Sequence, residues 1–146
     1  MRTLKIALSV AGILFLLIQL IRPEKNQQEP TPDRLDSIPP AVATLLKNAC
    51  YDCHSNQTVY PWYAHIQPAG WFLAHHIRDG KAALNFDTFR QYTMKKQRSK
   101  LKSMKTQLTT GQMPLSSYTW LHPAATLTTA QRSRMIHWID SLLAVK

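Results

Sequence analysis

The chain has 146 residues, of which 45% are hydrophobic and 18% charged, and this composition excludes an intrinsically disordered protein. Eighteen lysines and arginines against eight acidic residues give a net charge of +10. That charge favours an acidic protein, an anionic lipid surface or nucleic acid as partner but does not choose among them. The sequence contains no hydrolase triad, P-loop or dinucleotide fingerprint, so the conventional enzyme classes have no support.

The first 22 residues differ from the rest of the chain. Arg2 and Lys5 precede an uncharged run at 6–21, and Arg22 closes it. This order is typical of an export signal. As a helix the run spans roughly 24 Å, against about 30 Å for a hydrocarbon core. We therefore predict an uncleaved anchor in a bacterial inner membrane, with the remaining chain in the periplasm. The alternative is a cleaved signal and a secreted domain.

Composition divides the chain into an anchor at 1–22, a polar, proline-containing linker at 23–38 and a domain at 39–146. The domain is long enough for one modest core. Apolar residues at helical spacing predict a first helix that starts near Pro39 and Pro40 and leads into Cys50.

Further helices are predicted along the domain. Pro68 opens the second helix, with Gly80 as its C-cap. Asp87 is the expected N-cap of a third helix at about 88–108, and 109–123 is expected to be a loop. Thr128 and Gln131 form a capping box at the start of a fourth helix. Strand-like alternation is missing from the sequence, so the predicted fold class is all-α.

The stretch CYDCH at 50–54 contains both cysteines of the chain. A zinc site would need two more ligands, and a redox-active CxxC normally lies in a βαβ unit. A structural disulfide in so short a loop would constrain little chain. By contrast, CxxCH is the attachment motif for c-type haem. It predicts Cys50 and Cys53 as thioether anchors and His54 as the proximal iron ligand.

The longer stretch CYDCHSNQTVYPWYAHIQPAGWFLAHHIRDGKAALNF, with MPLSSY and HPAATLTTAQRSRMIHWI further on, resembles the bacterial haem-binding domain family that carries CxxCHSNxTxYPWY. The resemblance covers roughly residues 40 to 146. It implies a small exported cytochrome-c-like helical domain with one covalent haem c. It implies little about the physiological role.

One axial position of the iron remains after His54. Met113, in the loop sequence TTGQMPL, is the preferred sixth ligand, because a thioether binds haem iron and raises its reduction potential. His75, His76 and His122 are the alternatives, and an open five-coordinate iron is a further one.

The segment 94–105, MKKQRSKLKSMK, has six basic residues and no acidic one. It is either a solvated helix face, a docking site for an acidic periplasmic or membrane redox partner, or a lipid contact. An exported protein has little reason to bind nucleic acid. The expected function is one-electron transfer by a membrane-anchored monohaem protein that is a carrier and not an enzyme. A haem-based ligand sensor and an exported peroxidase-like protein are the alternatives.

Overall fold

The computed structural model describes residues 1–29, 31, 34, 35 and 38–144. Over these residues the chain is helical and has no β-strand, which confirms the predicted all-α class; one isolated bridge joins Gln27 and Gln57. The helices are α1 (Arg2–Ile18), α2 (Pro40–Ala49), α3 (Tyr51–His54), α4 (Ala69–Ala83), α5 (Met94–Thr109), α6 (Ser116–Leu121) and α7 (Thr129–Ala144). Short 3₁₀ turns occupy Trp62–His65, Phe89–Gln91 and Pro123–Ala125.

Helix α1 contains no buried residue, and its large apolar side chains are exposed from Leu4 to Leu17. Its C-terminal end is attached to the start of α4. Gln19 and Gln67 exchange two hydrogen bonds of 2.8 and 3.2 Å, and the Trp71 indole donates to the Ile21 carbonyl at 2.8 Å. Among the described residues, no helix reaches the length and hydrophobicity needed to span a membrane.

Part of the predicted linker lies against the helical domain. The Asn26 amide donates to the Ser55 carbonyl and to the Thr58 hydroxyl, both at 2.9 Å, and its backbone N–H donates to the Tyr60 hydroxyl at 2.6 Å. These contacts hold the linker around Asn26 against residues 55–60, which follow α3. Five positions of the predicted linker and the last two of the predicted domain lie outside the described residues: 30, 32, 33, 36, 37, 145 and 146.

The core lies where α2, α5 and α7 meet. Pro40 begins α2 at a position where the missing N–H costs no hydrogen bond, and the apolar side of this helix then faces inward. The buried side chains are Val42, Leu45, Leu46, Ala49, Leu84, Phe86, Phe89, Leu101, Leu108, Ala125, Leu127, Met135, Trp138 and Ile139. This core fixes α2 and α5, from which the candidate site is built.

The start of α7 confirms the predicted capping box. The Thr128 backbone N–H donates to the Gln131 side chain at 2.8 Å, and the Gln131 N–H donates to the Thr128 hydroxyl at 3.2 Å. Two N–H groups that the helix would otherwise leave without partners are satisfied in this way.

The predicted C-cap of the second helix and the predicted start of the third helix are wrong, whereas the third helix ends at Thr109, close to the predicted 108. Gly80 does not cap α4, which continues to Ala83. Asp87 does not cap a helix. Its carboxylate is buried, accepts the Asn56 N–H at 2.7 Å and pairs with Arg34 at 3.2 Å. Thr93 caps α5 instead, accepting the Lys96 N–H.

The expected loop at 109–123 also differs from the structure, because it contains the six-residue helix α6. Gly111, at φ +71°, ends α5 in a backbone conformation that residues with a Cβ rarely adopt. Residues 112–115 then form the connection that carries Met113.

Candidate functional site

Two adjoining cavities of about 210 and 250 Å³ lie beside α3. They have a common wall and together fall within the roughly 300–1,000 Å³ of typical small-molecule and cofactor sites. We call them the first and the second cavity, and both together the cleft. The residues that line both are Ala49, Cys50, His54, Ala83, Met113 and Pro114.

The short helix α3 brings the three predicted residues of the CYDCH motif to this cleft. Cys50 joins α2 to α3, and the His54 N–H donates to the Cys50 carbonyl at 2.9 Å, which closes one turn over the motif. Cys50 and His54 line both cavities, whereas Cys53 lines the second cavity. Both cysteines are free thiols.

The environment of the thiols bears on the alternatives to haem. Burial raises the pKa of Cys50 to about 12 and that of Cys53 to about 11. A smaller rise comes from the neighbouring Cys53 thiol at Cys50 and from the Asp52 carboxylate at Cys53. A reactive dithiol needs a lowered pKa, so these thiols do not have the environment of a redox-active CxxC. No group of three or more His, Cys, Asp or Glu residues within the described part of the chain is arranged to hold a metal ion.

The His54 ring is oriented by α4. Its Nδ1 lies 2.9 Å from the carbonyl oxygen of Leu84, the residue that directly follows α4. Since a carbonyl only accepts, Nδ1 carries the proton and Nε2 keeps its lone pair. Burial lowers the pKa of His54, an effect that backbone hydrogen bonding to Leu84 and Gly80 partly offsets. The ring is therefore a neutral imidazole with one nitrogen available for a metal.

Gly80 explains how α4 reaches that position. A Cβ at this residue would lie 2.6 Å from the Cys53 carbonyl oxygen and 3.1 Å from the Cys53 Cβ. Only a glycine therefore allows the backbones of α3 and α4 to lie so close together. Sequence reasoning assigned Gly80 to a helix end, but its function here is close helix packing next to the CYDCH motif.

Met113 lines both cavities, as His54 does. Its backbone is held from two sides: its N–H donates to the Gln107 carbonyl at 3.3 Å, and the Arg132 guanidinium donates to its carbonyl oxygen at 2.8 Å. Arg132 also donates to the Leu108 carbonyl at 3.3 Å. Sequence reasoning missed Arg132, because a single arginine on an otherwise ordinary helix gives no signal of such a contact.

The three alternative histidines lie in different places. His76 lines the second cavity, and its Nδ1 donates to the Phe72 carbonyl at 2.9 Å. His75 is exposed on α4 and pairs with Asp79 at 3.1 Å. His122 donates to the Tyr118 carbonyl and stacks on the Tyr118 ring, and it lines neither cavity.

Asp52 and Tyr118 complete one wall of the second cavity, and sequence reasoning assigned no role to either. The Tyr118 hydroxyl donates to one Asp52 carboxylate oxygen at 2.6 Å, and the Val59 N–H donates to the other at 3.0 Å. Burial and the hydrogen bond to Asp52 both raise the pKa of Tyr118. The pair ties α6 to α3 across 66 positions of sequence, a contact that no local pattern encodes.

These residues fit a haem group. The cleft is lined mainly by apolar side chains and contains a neutral, oriented imidazole next to two free thiols. The family model "Haem-binding domain" matches residues 13–141, and the chain belongs to this family. The match begins at residue 13, before the stretch of about 40 to 146 from which the resemblance was inferred. It supports haem as the cofactor. Curated proteins and solved structures gave no match to the chain.

Proposed function

We propose that the chain is a monohaem c-type electron-transfer protein. The observation that carries this proposal is the joint position of Cys50, Cys53 and His54 on one wall of an apolar cleft, with the imidazole already in the tautomer that binds iron. In the proposed role the two thiols hold the haem through thioether bonds, and His54 is the proximal ligand.

Haem supplies one-electron chemistry between Fe(III) and Fe(II) when it is bound. In this proposal Met113 is the residue that would restrict this chemistry to electron transfer. Met113 lies in the wall of both cavities, where a thioether ligand would close the second axial position and raise the reduction potential. The Arg132 contact to the Met113 carbonyl keeps the loop in place.

We also propose that α1 attaches the domain to the bacterial inner membrane on its periplasmic side. Its apolar side chains are exposed, for example Leu8 at 65% and Leu16 at 67%, and the helix contributes no residue to the core or to the cleft. Exposed apolar surface of this extent on a soluble domain normally indicates an interaction surface.

The redox partner in this proposal is an acidic protein that docks on α5. Lys95, Lys96 and Lys102 are exposed on this helix, while other residues of the same helix line the first cavity. A partner on this surface would lie close to the cofactor, and its association rate should fall as ionic strength rises.

The first experiment is a visible spectrum of the full chain, produced in a cell that matures c-type cytochromes, before and after complete denaturation. We expect a haem spectrum that stays with the unfolded polypeptide. A Cys50→Ser/Cys53→Ser double variant should release its haem on denaturation. Loss of haem from the unfolded wild-type chain would refute covalent attachment.

Met113→Ala tests the sixth ligand, with Met94→Ala as a matched control because Met94 is 65% exposed on α5. We expect Met113→Ala to change the ligand-field bands and lower the potential, and Met94→Ala to change neither. An unchanged spectrum in Met113→Ala would remove Met113 as a ligand. A wild-type iron that is five-coordinate and binds CO readily would contradict the electron-transfer function and favour a sensor.

A further inference from the structure

The two cavities differ in the charged residues of their walls. Asp52 and Asp79 line the second cavity. Lys100 lines the first cavity, together with the polar side chains of Ser103 and Gln107. The cleft is therefore acidic at one end and basic at the other.

Lys100 belongs to a face of α5 that points to the first cavity. The lining residues of this helix follow the spacing of one helical face, and they are Lys100, Ser103, Met104, Gln107 and Leu108. The Lys100 ammonium donates to the carbonyl of Ala83, which itself lines both cavities. The Lys100 side chain is partly exposed, and this contact keeps its ammonium at the wall of the cleft.

Lys100 also differs from its neighbours in its partners. Lys105, on the same helix, contacts both carboxylate oxygens of Asp140 at 2.6 and 2.8 Å. Within the part of the chain that the structure describes, Lys100 has no carboxylate at ion-pair distance. Its ammonium is therefore a cation at the mouth of an apolar cavity that can pair with an anion bound there.

Haem carries such an anion, because its two propionate groups lie together on one edge of an otherwise apolar ring. We propose that Lys100, Ser103 and Gln107 form a carboxylate subsite that binds the haem propionates at the first cavity. The thioether edge would then lie toward Cys53 in the second cavity and toward Cys50 in the wall that the two cavities have in common. The alternative orientation would bring the propionates to the Asp52 carboxylate, where like charges repel, whereas Asp79 is already paired with His75 and Arg78. This inference rests on the proposed function, in which haem occupies the cleft.

The subsite predicts how the reduction potential depends on pH. A paired ammonium keeps a propionate ionised to lower pH. Since Fe(III) favours the ionised propionate more than Fe(II) does, the potential falls with rising pH across the window in which the propionate titrates. Besides Lys100, the titratable side chains in the wall of the first cavity are His54 and Cys50, both of which the bound haem would engage.

The experiment is a redox titration of the full holoprotein as a function of pH. In Lys100→Gln, which keeps a polar side chain but removes the charge, this window should move to higher pH. Lys102→Gln removes the same charge from the exposed side of α5 and should leave the window in place. Lys100→Arg restores a cation and should return the window toward the wild-type position.

A second measurement reports the propionates directly. Redox-difference infrared spectra should show a larger protonated carboxyl signal near neutral pH in Lys100→Gln than in Lys102→Gln. Equal pH windows and equal carboxyl signals in these two variants would overturn the subsite. A non-covalent haem in the wild-type protein would refute the thioether attachment but not the propionate subsite. The comparison of Lys100→Gln with Lys102→Gln would still test that subsite.

Discussion

Gly80→Ala is the substitution that tests most directly how the site is built. The added Cβ would lie 2.6 Å from the Cys53 carbonyl oxygen, well inside the 3.0 Å below which real Cβ atoms essentially never approach another atom. The atoms it meets belong to Cys53 backbone and Cβ, so no change of rotamer relieves the overlap. Helices α3 and α4 must therefore move apart by a few tenths of an ångström.

Two opposing effects set the size of the change. Alanine gains up to about 1 kcal/mol over glycine in a helix interior, while overpacking costs about 1–3 kcal/mol. Because the clash is with a backbone, we expect the upper part of that range and a net loss of about 1–2 kcal/mol. This corresponds to a melting temperature lower by roughly 3–8 °C.

The assay is urea and thermal unfolding followed by circular dichroism, together with the visible spectrum of the haem. The shift should also disturb the contact between His54 and the Leu84 carbonyl, so we expect altered ligand-field bands. Gly12→Ala is the matched control, because a Cβ there meets nothing within 4 Å. A Gly80→Ala protein as stable as Gly12→Ala, with an unchanged spectrum, would refute the close-packing argument.

Three further substitutions test other contacts of the site and the fold. Arg132→Gln removes the cation that holds the Met113 carbonyl, so we expect a loss of about 1–2 kcal/mol. If Met113 binds the iron as proposed, its charge-transfer band should also disappear earlier on heating, and a band as stable as in the wild type would contradict this role. Tyr118→Phe removes the donor to Asp52 and should cost about 1–2 kcal/mol in urea unfolding at pH 7. Since the folded-state pKa of Tyr118 is raised, that contribution is complete below the ordinary tyrosine pKa of about 10 and declines above it, so the two proteins should converge in alkaline solution and a constant difference would be evidence against it. Thr128→Ala breaks the capping box and should lower stability by about 1 kcal/mol without changing the haem spectrum, and a changed spectrum would show that α7 affects the cleft more directly.

Several features of the fold could be predicted because they depend on neighbouring residues. The helix that leads into Cys50 follows from Pro40 at its first turn and from apolar residues at helical spacing. The capping box at Thr128 follows from two residues three positions apart. Local hydrogen bonding and periodicity determine these elements, so the sequence contains the required information.

The wrong predictions concern residues whose partners are distant in sequence. Helix α4 continues for three residues after Gly80. The glycine is needed for a different reason: the backbone of Cys53, 27 positions earlier, packs directly against it. Asp87 has the sequence appearance of an N-cap, yet it is buried and binds the Asn56 N–H and Arg34. A propensity for a local structure gave way in both cases to a tertiary contact.

The sequence by itself determined the helical class and the CxxCH motif at 50–54, since both depend on residue types at short spacing. Only the tertiary structure decided which residues surround that motif. It brought Met113 and His76 to the cleft, left His75 and His122 away from it, and placed Lys100 in its wall. The physical reason is that these positions depend on how α3, α4 and α5 pack around the core, and packing depends on shape and burial over the whole chain.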